Sequence, residues 1–296
     1  MKFALNAVGS GSSARPELLA QVAQKAEALG YESVWIPEHL AVPIEMQTPY
    51  PYSADGKFPG GTTVAIHDPF LALAYVAACT QRIRLGTGVF VLPLRNTLAV
   101  AKAVASLDVL SQGRFIFGIG IGWLAEEFAA AGMSFKDRAP RAREAIAVMK
   151  ALWTEETPRF SGRFHNFPAL GFNPKPVQKP HPPLIFGGES HAALKRAAEL
   201  GDGWYGVQFT PASIAPSLAT LKERVEAAGR DFSRLEITSG IDRSLYPLTL
   251  DTVRRFADAG VHRLMVFAPG FVPRSRYETE LYPQLERFAE EIIAKL

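Results

Sequence analysis

Short apolar runs alternate with longer helical patterns along most of the chain. The apolar runs predict eight strands, at residues 2–8, 33–37, 83–92, 114–121, 184–187, 203–207, 235–241 and 263–268. Their residues are apolar in succession rather than in alternation, which is typical of parallel strands that are covered on both faces. The pattern therefore favours a parallel sheet with helices packed against it.

Helical patterns separate these strands, and two of them have clear start signals. Pro16 lies in the first turn of a helix predicted over residues 16–29, and Gly30 follows its end. Asp68 and Pro69 begin the next helix, which is predicted to run to about Thr80. The remaining helices are predicted at residues 97–110, from about residue 123, and at 141–153, 190–200, 212–228, 249–259 and 277–295.

This alternation predicts an α/β fold in which residues 1–296 form one domain. The simplest architecture is a (β/α)8 TIM barrel with insertion loops. An open doubly wound sheet is the alternative, but no G-x-G-x-x-G turn follows the first strand. Two irregular stretches, at residues 41–67 and 154–183, are too long for ordinary connections, and the first is expected to cover one end of the fold.

Composition restricts the class of protein further. The 296 residues carry a net charge of +3 with acids and bases interspersed, which does not favour nucleic-acid binding. No apolar run reaches the ~20 residues that a membrane span needs, and the N-terminal segment is too short and too polar for a signal peptide. The single cysteine, Cys79, excludes an internal disulfide and is expected to be a buried thiol. We therefore predict a cytoplasmic protein without membrane or nucleic-acid partners.

In a (β/α)8 barrel, functional groups lie where the strands end. The fourth predicted strand runs directly into a helix through RFIFGIGIGWLAEEF, residues 114–128. Gly120 and Gly122 would let a flat or anionic ligand approach the backbone there, and Trp123 could cover a ring. His39 follows the second strand beside Glu38, and a histidine in that place can exchange protons near neutral pH. The carboxylate of Glu38 could orient it, although adjacent residues of an extended chain point in opposite directions.

Two further glycine segments stand at predicted strand ends. GTGV, residues 86–89, interrupts the third strand, and such glycines mark either a bulge with a packing role or the close approach of another group. GGES, residues 187–190, precedes a helix whose free N–H groups could bind a phosphate, although Ser190 could equally be only the N-cap. Neither metal-ligand spacing nor a nucleophile elbow is present, so we predict no metal and assign the chemistry to an organic cofactor.

Three segments in this order resemble the bacterial luciferase-like monooxygenase superfamily, and within it the luciferase-like class of F420-dependent oxidoreductases. They are ALGYESVWIPEH, RIRLGTGVFVLPLRNTLAVAKAVASLDVLSQGRFIFGIGIGWLAEEF and NPKPVQKPHPPLIFGGESHAALKRAAELGDGW. The resemblance implies a (β/α)8 barrel, commonly dimeric, that binds F420 or FMN at the C-terminal ends of the strands. It also implies a non-prolyl cis peptide at Gly88–Val89 or next to it, behind the ring of the cofactor.

The resemblance places an acid–histidine pair, Glu38 and His39, at the end of the second strand as catalytic residues. The candidate cofactor-binding residues are Asn6, Thr87, Gly88, Val89, Gly120, Gly122, Trp123, Gly187, Gly188 and Ser190. One departure is Glu189, because an acid beside a phosphate is unfavourable and should point away. Many relatives also have proline where this chain has Thr97.

The function that follows is an F420-dependent oxidoreductase that transfers a hydride between reduced deazaflavin and a small organic substrate. The alternative is an FMN-dependent luciferase-like monooxygenase that receives reduced flavin from a separate reductase, and a third reading is a flavin carrier without activity. The aromatic residues of the loop at 41–67 suggest an apolar or ring-containing substrate. A homodimer is also predicted, because the helical stretches at 70–79 and 98–110 are more apolar than one buried face requires.

Overall fold

The computed structural model describes residues 1–53, 55–241 and 247–296. The strands of the described residues are β1 Lys2–Leu5, β2 Ser33–Ile36, β3 Arg84–Thr87, β4 Phe90–Val91, β5 Phe115–Gly120, β6 Phe160–Ser161, β7 Asn166–Phe167, β8 Leu184–Gly187, β9 Gly203–Phe209, β10 Glu236–Ile241 and β11 Arg263–Phe267. Continuous β-branched and aromatic residues account for these strands, because such side chains fit a sheet that is buried on both faces.

The parallel strands close into a barrel. Within the described chain the order is β3-β2-β1-β11-β10-β9-β8-β5, and β5 pairs back onto β3 through Leu85–Phe115 and Gly86–Ile116. The two-residue strand β4 continues the β3 position and also pairs with β5. The predicted (β/α)8 barrel is therefore confirmed, and the C-terminal ends of all its strands meet at one mouth.

Helices surround the barrel. They are α1 Pro16–Ala28, α2 Pro69–Cys79, α3 Thr97–Leu110, α4 Ala125–Ala130, α5 Arg138–Thr154, α6 His191–Leu200, α7 Ala215–Ala227, α8 Leu250–Asp258 and α9 Tyr282–Glu291. Side-chain caps fix several starts: Asp68 accepts from the amides of Phe70 and Leu71, and Asn96 accepts from the amide of Ala99. These bonds satisfy amides that have no partner inside the helix.

Several predicted boundaries were wrong for local reasons. The strand predicted at 83–92 is divided into β3 and β4 by a cis peptide at Gly88–Val89. The helix predicted from Trp123 begins at Ala125, after the positive φ of Gly122 and the extended Leu124 have turned the chain. The stretch 154–183 contains the antiparallel hairpin β6–β7. The last helix starts with a π-helical turn, Tyr277–Leu281, before α9.

The inside of the barrel is filled at its centre by Trp35 and Tyr205, whose rings lie 6.1 Å apart. Gly86 makes room for the indole, because a Cβ atom there would lie 2.4 Å from Trp35 Cδ2. A Cβ atom at Gly118 would lie 1.8 Å from the Thr87 carbonyl oxygen and 2.9 Å from Trp35 Cζ3. These two glycines therefore pack the floor of the mouth rather than line its opening.

A buried ionic network closes the opposite end of the barrel. Arg263 is fully buried, and its Nε and Nη2 donate at 2.8 Å to the two carboxylate oxygens of Glu32. Its Nη1 donates to Thr238 at 3.1 Å and pairs with Glu236, which also binds Lys2. Burial alone would raise the pKa values of Glu32 and Glu236, but the Arg263 guanidinium holds both below their usual range.

Cys79, which the sequence predicts to be a buried thiol, is half-buried, because it lies in the last turn of α2. Within the described ranges, no helix is both long enough and apolar enough to cross a bilayer.

Candidate active site

His39 lies at the mouth of the barrel, three residues after the end of β2. Its Nδ1 is 3.0 Å from Oε2 of Glu127 in α4, and only 10% of the histidine side chain is exposed. In the described part of the chain its Nε2 makes no hydrogen bond, so this nitrogen remains open to a ligand. An imidazole held at Nδ1 by a carboxylate and open at Nε2 is suited to proton transfer.

Glu38 does not contact His39. Its Oε2 accepts from the amide of Val91 at 2.5 Å, and its Oε1 pairs with Arg95 at 2.5 Å. Arg95 also pairs with Asp68 at 3.1 Å. Burial raises the pKa of Glu38 to about 7, against the lowering effect of Arg95. The expected acid–histidine pair is thus divided: Glu38 fastens β4 to the end of β2, and Glu127 takes the place beside the histidine.

An aromatic cover closes over His39. Phe58 and Tyr50 of the loop 41–67 pack against Trp123, with ring centroids 6.1 and 5.1 Å apart. The His39 ring lies edge-on to Phe58 at 5.0 Å and to Trp123 at 5.9 Å. The loop therefore covers the mouth, as the sequence predicted for this stretch, and Trp123 is part of that cover. Ala54 of the same loop lies outside the described residues.

The centre of the mouth is formed by Asn6, Gly88 and Tyr205. Asn6 Nδ2 donates to the Tyr205 hydroxyl at 3.1 Å, and its buried Oδ1 has no hydrogen-bond partner within the described chain. A Cβ atom at Gly88 would lie 3.0 Å from this oxygen and 3.3 Å from Trp35 Cβ. Burial raises the pKa of Tyr205, so its hydroxyl stays neutral and available as a hydrogen-bonding group.

The structure places other predicted residues in packing roles. The buried hydroxyl of Thr87 donates to the Gly118 carbonyl at 2.7 Å. Gly120 and Gly187 both face Val89: a Cβ atom would lie 2.7 Å from Val89 Cγ2 at the first position and 2.9 Å from Val89 Cγ1 at the second. The side chain of Val89 is therefore enough to require glycine at both positions.

Glycine is required at position 122 for a different reason: its φ of +79° is a left-handed conformation that favours glycine. A Cβ atom there would also lie 2.6 Å from Phe128 Cε2 and 2.8 Å from Val91 Cγ1. The residue therefore turns the chain between β5 and α4. This turn brings Trp123 to the mouth and Glu127 to His39.

The turn after β8 is partly occupied by the protein's own contacts. The amide of Gly188 donates to the Tyr205 carbonyl at 3.2 Å, and Ser190 Oγ accepts from the amide of Ala193 as the N-cap of α6. The side chain of Glu189 turns to β9, where Oε1 accepts from the amide of Val207 at 2.7 Å. An anion at this turn would thus be bound by amides at the start of α6 and not by the amide of Gly188.

These features fit a flat heterocyclic cofactor. The orphaned Asn6 Oδ1 is an acceptor that requires a donor, since a buried polar atom without a partner costs ~1–3 kcal/mol. Gly88 leaves backbone beside this oxygen without a side chain. Asn6, Tyr205 and the backbone at Gly88 are neutral groups, which suits an organic ring.

Sequence reasoning identified His39 and Trp123 but missed Glu127, Tyr205 and Arg95. Glu127 stands inside the WLAEEF segment that drew attention for its glycines. The adjacent acids Glu126 and Glu127, shortly after a strand end, were the feature of the sequence that could have identified it. Nothing in the local sequence connects Glu38 to Arg95, which lies 57 positions further along the chain.

A closed (β/α)8 barrel with a carboxylate-bound histidine and an aromatic cover at its mouth is the architecture of a barrel enzyme. The family model described as luciferase-like monooxygenase matches residues 1–288, and the chain therefore belongs to that family. It is accordingly an oxidoreductase of the luciferase-like class, as the sequence predicted.

The chain is similar to an uncharacterized protein of Mycobacterium tuberculosis, with 32% identity over 276 residues that cover 92% of this chain and 93% of that protein. It is also similar to the F420-dependent glucose-6-phosphate dehydrogenase of Kineococcus radiotolerans, with 33% identity over 238 residues that cover 77% of this chain and 64% of the dehydrogenase. Among solved structures, the monooxygenase RslO1 from Streptomyces bottropensis superposes with a TM-score of 0.76 and 24% identity over 100% of this chain and 99% of its own.

Proposed function

We propose that the protein is an F420-dependent oxidoreductase that transfers a hydride between the deazaflavin and a small organic substrate. The observation that carries this proposal is the pairing of His39, open at Nε2, with a side-chain-free backbone at Gly88 and an orphaned acceptor at Asn6. The similarity to an F420-dependent dehydrogenase supports the choice of cofactor.

The mouth offers a separate group for each part of such a cofactor. Asn6 Oδ1 would accept from a ring N–H, and the backbone at Gly88–Val89 would lie behind the ring. Amides at the start of α6, next to Ser190, would bind the phosphate. When bound, the deazaflavin supplies a ring carbon that accepts or donates a hydride.

His39 would handle the proton that accompanies the hydride. In the oxidation of an alcohol, the hydrogen on carbon would leave with its electron pair as a hydride to the deazaflavin. The O–H electron pair would stay on oxygen to form the carbonyl, and Nε2 of His39 would accept the proton. In the reverse direction the imidazolium returns this proton to the new alkoxide oxygen. The aromatic cover of Tyr50, Phe58 and Trp123 keeps water away from the reacting atoms.

The surroundings favour a neutral, apolar or ring-containing substrate. Burial, and after it the nearby Glu189 carboxylate, raises the pKa of Tyr52 to about 12. The same carboxylate acts on Tyr205. The Glu189 carboxylate near these two tyrosines disfavours anionic substrates on this side of the mouth.

FMN is the alternative cofactor, because the matched family is described as monooxygenase. In that case a separate reductase would supply the reduced flavin. The single cysteine supports the further proposal that the protein works in the cytoplasm.

Side-by-side titration of the purified protein with F420 and with FMN tests the proposal. Binding is followed by quenching of tryptophan fluorescence, since Trp123 lies at the mouth. We expect F420 to bind more tightly. A clear preference for FMN would overturn the proposal in favour of the monooxygenase.

A substitution at His39 tests its role. His39→Ala should lower kcat by ~10² to 10⁴-fold, the usual contribution of a positioned acid or base, and leave the Kd of the cofactor within a few-fold of wild type. Normal turnover in a folded variant would make His39 a structural residue.

A further inference from the structure

Two neighbouring acids in α4, Glu126 and Glu127, bind the loop that covers the mouth. Glu126 Oε1 accepts from the amides of Gln47 and Thr48 at 2.5 and 2.9 Å, and its Oε2 accepts from the Thr48 hydroxyl at 2.8 Å. Glu127 Oε1 accepts from the amides of Leu40 and Ala41 at 2.5 and 3.2 Å. One short helix therefore fixes the loop at its beginning and at a second point several residues later.

Glu127 differs from Glu126 in one respect, because its second oxygen binds His39. The Glu127 side chain is only 2% exposed, so its charge is stabilised by these three contacts rather than by water. A carboxylate is an acceptor only, which requires that Nδ1 of His39 carries the proton. The neutral imidazole is thereby held with Nε2 as its acceptor.

Other charged groups near His39 do not compete for this role. The Glu38 carboxylate is engaged by Arg95 and by the Val91 amide, and Glu126 is engaged by the loop. Among the described residues, the aromatic rings that contact the imidazole are those of Phe58 and Trp123, which carry no charge. Glu127 is thus the carboxylate that sets the electrostatics of His39.

We propose that Glu127 is the positioning residue of the active site: it fixes the tautomer and orientation of His39 and ties them to the closed loop. The same carboxylate holds the imidazole and the amides of Leu40 and Ala41, where the chain enters the loop. Displacement of the loop at Leu40 and Ala41 therefore disturbs the group that holds His39. This inference rests on the proposed role of His39 as the group that moves a proton.

Glu127→Gln is the sharpest test, because it keeps the shape and removes the charge. If the new Oε1 keeps the amides of Leu40 and Ala41, the new side-chain NH₂ faces His39 and donates to Nδ1. The imidazole must then carry its proton on Nε2, where it can no longer accept one from a substrate. We expect kcat to fall by about 10- to 100-fold, as when a metal-binding histidine loses the carboxylate that orients it, with KM changed little.

The tautomer itself can be observed without any cofactor. In protein with isotope-labelled histidine, the nitrogen NMR shifts of His39 at alkaline pH should report a proton on Nδ1 in wild type and on Nε2 in Glu127→Gln. This measurement separates the inference from the proposed function. A preference for FMN in the titration would remove F420 and leave the tautomer result standing.

Glu126→Gln is the matched control, since Glu126 binds the same loop from the neighbouring position without touching His39. It should raise KM through a loosened loop and leave the tautomer of His39 as in wild type. Glu127→Asp, which retains the charge, should recover part of the lost kcat and the wild-type tautomer. If Glu127→Gln leaves the tautomer unchanged, or if Glu126→Gln shifts it equally, Glu127 does not position His39.

Discussion

The side chain of Val89 explains two glycines that the sequence presented as binding positions. Gly120 lies in β5, which pairs with β4, and Gly187 lies in β8, the strand on the other side of β5; each lacks the Cβ atom that Val89 would meet. A glycine at a strand end is thus compatible with a ligand and with a neighbouring side chain. Only the packing around it separates the two cases.

Gly120→Ala should destabilise the protein, because its Cβ atom would lie 2.7 Å from Val89 Cγ2. Overpacking of this kind costs ~1–3 kcal/mol of the free energy of unfolding. Val89→Ala removes both methyl groups, so the double variant should be more stable than the sum of the single effects predicts. Thermal and urea unfolding of the four proteins measures this coupling. Strictly additive losses would show that Gly120 is required for something other than room for Val89.

The orphaned oxygen of Asn6 should contribute to cofactor binding. Asn6→Ala removes both the contact to Tyr205 and the Oδ1 acceptor, whereas Tyr205→Phe removes only the contact. We therefore expect Asn6→Ala to raise the Kd of F420 about tenfold, for a lost hydrogen bond of ~1–1.5 kcal/mol, and Tyr205→Phe to raise it much less. Equal Kd values for the two variants in the fluorescence titration would mean that Oδ1 does not meet the cofactor.

At the scale of elements, the short helix α4 positions both His39 and the loop that covers the mouth. Its six residues include the acid that holds His39 and the acid that holds Gln47 and Thr48. The loop 41–67 is fastened at its other end by the Gly11 amide, which donates to the Ala65 carbonyl at 2.8 Å, and by His67 Nε2, which lies 2.6 Å from the Ala14 carbonyl. The cover over the barrel is therefore an anchored element.

Lowering the pH should weaken the attachment of the loop to α4, because Glu126 becomes protonated. The Thr48 hydroxyl first, and then the Gln47 amide, lowers the pKa of Glu126 to about 2. A carboxylate with a lowered pKa stabilises the folded loop above its ordinary pKa, and this contribution is lost as the pH falls from about 4.5 towards about 2. Hydrogen exchange at the amides of Gln47 and Thr48, corrected for intrinsic rates between about pH 6 and about pH 3, should show falling protection in wild type. In Glu126→Gln, protection should be low and nearly independent of pH. Parallel pH dependence in the two proteins would contradict this account.

The elements that the sequence predicted least well are those that long-range contacts decide. The apolar run at 83–92 predicts a single strand, but the strand is divided at Gly88–Val89. The division is accompanied by a hydrogen bond that the Val91 amide donates to Glu38, and no local sequence pattern shows this contact. The start of α4 depends on the conformation of Gly122 and on packing against Phe128. The starts of α1 and α2 were predictable because proline and aspartate act on their own helix.

At the scale of the whole molecule, the strand count and the barrel followed from the sequence because each strand is apolar over its whole length. The buried network of Arg263, Glu32 and Glu236 did not, since its members begin different strands or precede them and look like ordinary surface charges in sequence. The sequence likewise predicts some residues of the candidate site and not others. His39 and the loop could be predicted from their places after strands and between elements. Glu127 and Tyr205 could not, because only the closed barrel brings Glu127 to His39 and Tyr205 to Asn6.

One apolar surface of the molecule has no partner within the described chain. Leu71 is 75% exposed and Tyr75 42% exposed on α2, and Leu110 is 69% exposed at the end of α3. Neither face is polar: α2 contains no charged residue, and the charged residues of α3 are Lys102 and the buried Asp108. A helix that is apolar on all sides is ordinarily buried on all sides. We therefore propose that these helices form the interface of a homodimer.

Charge placed on this surface should separate the dimer without unfolding the barrel. We expect wild-type protein at micromolar concentration to show the mass of a dimer by light scattering, and Leu71→Glu with Leu110→Glu to show that of a monomer. Both side chains are exposed in the single chain, so their replacement leaves the core of each barrel unchanged, and the far-ultraviolet circular dichroism of the variant should match wild type. Lys222→Glu, on the distant helix α7, is the control for added charge and should remain dimeric. A monomeric wild type would remove the proposal, and a double variant that stays dimeric would move the interface to another surface.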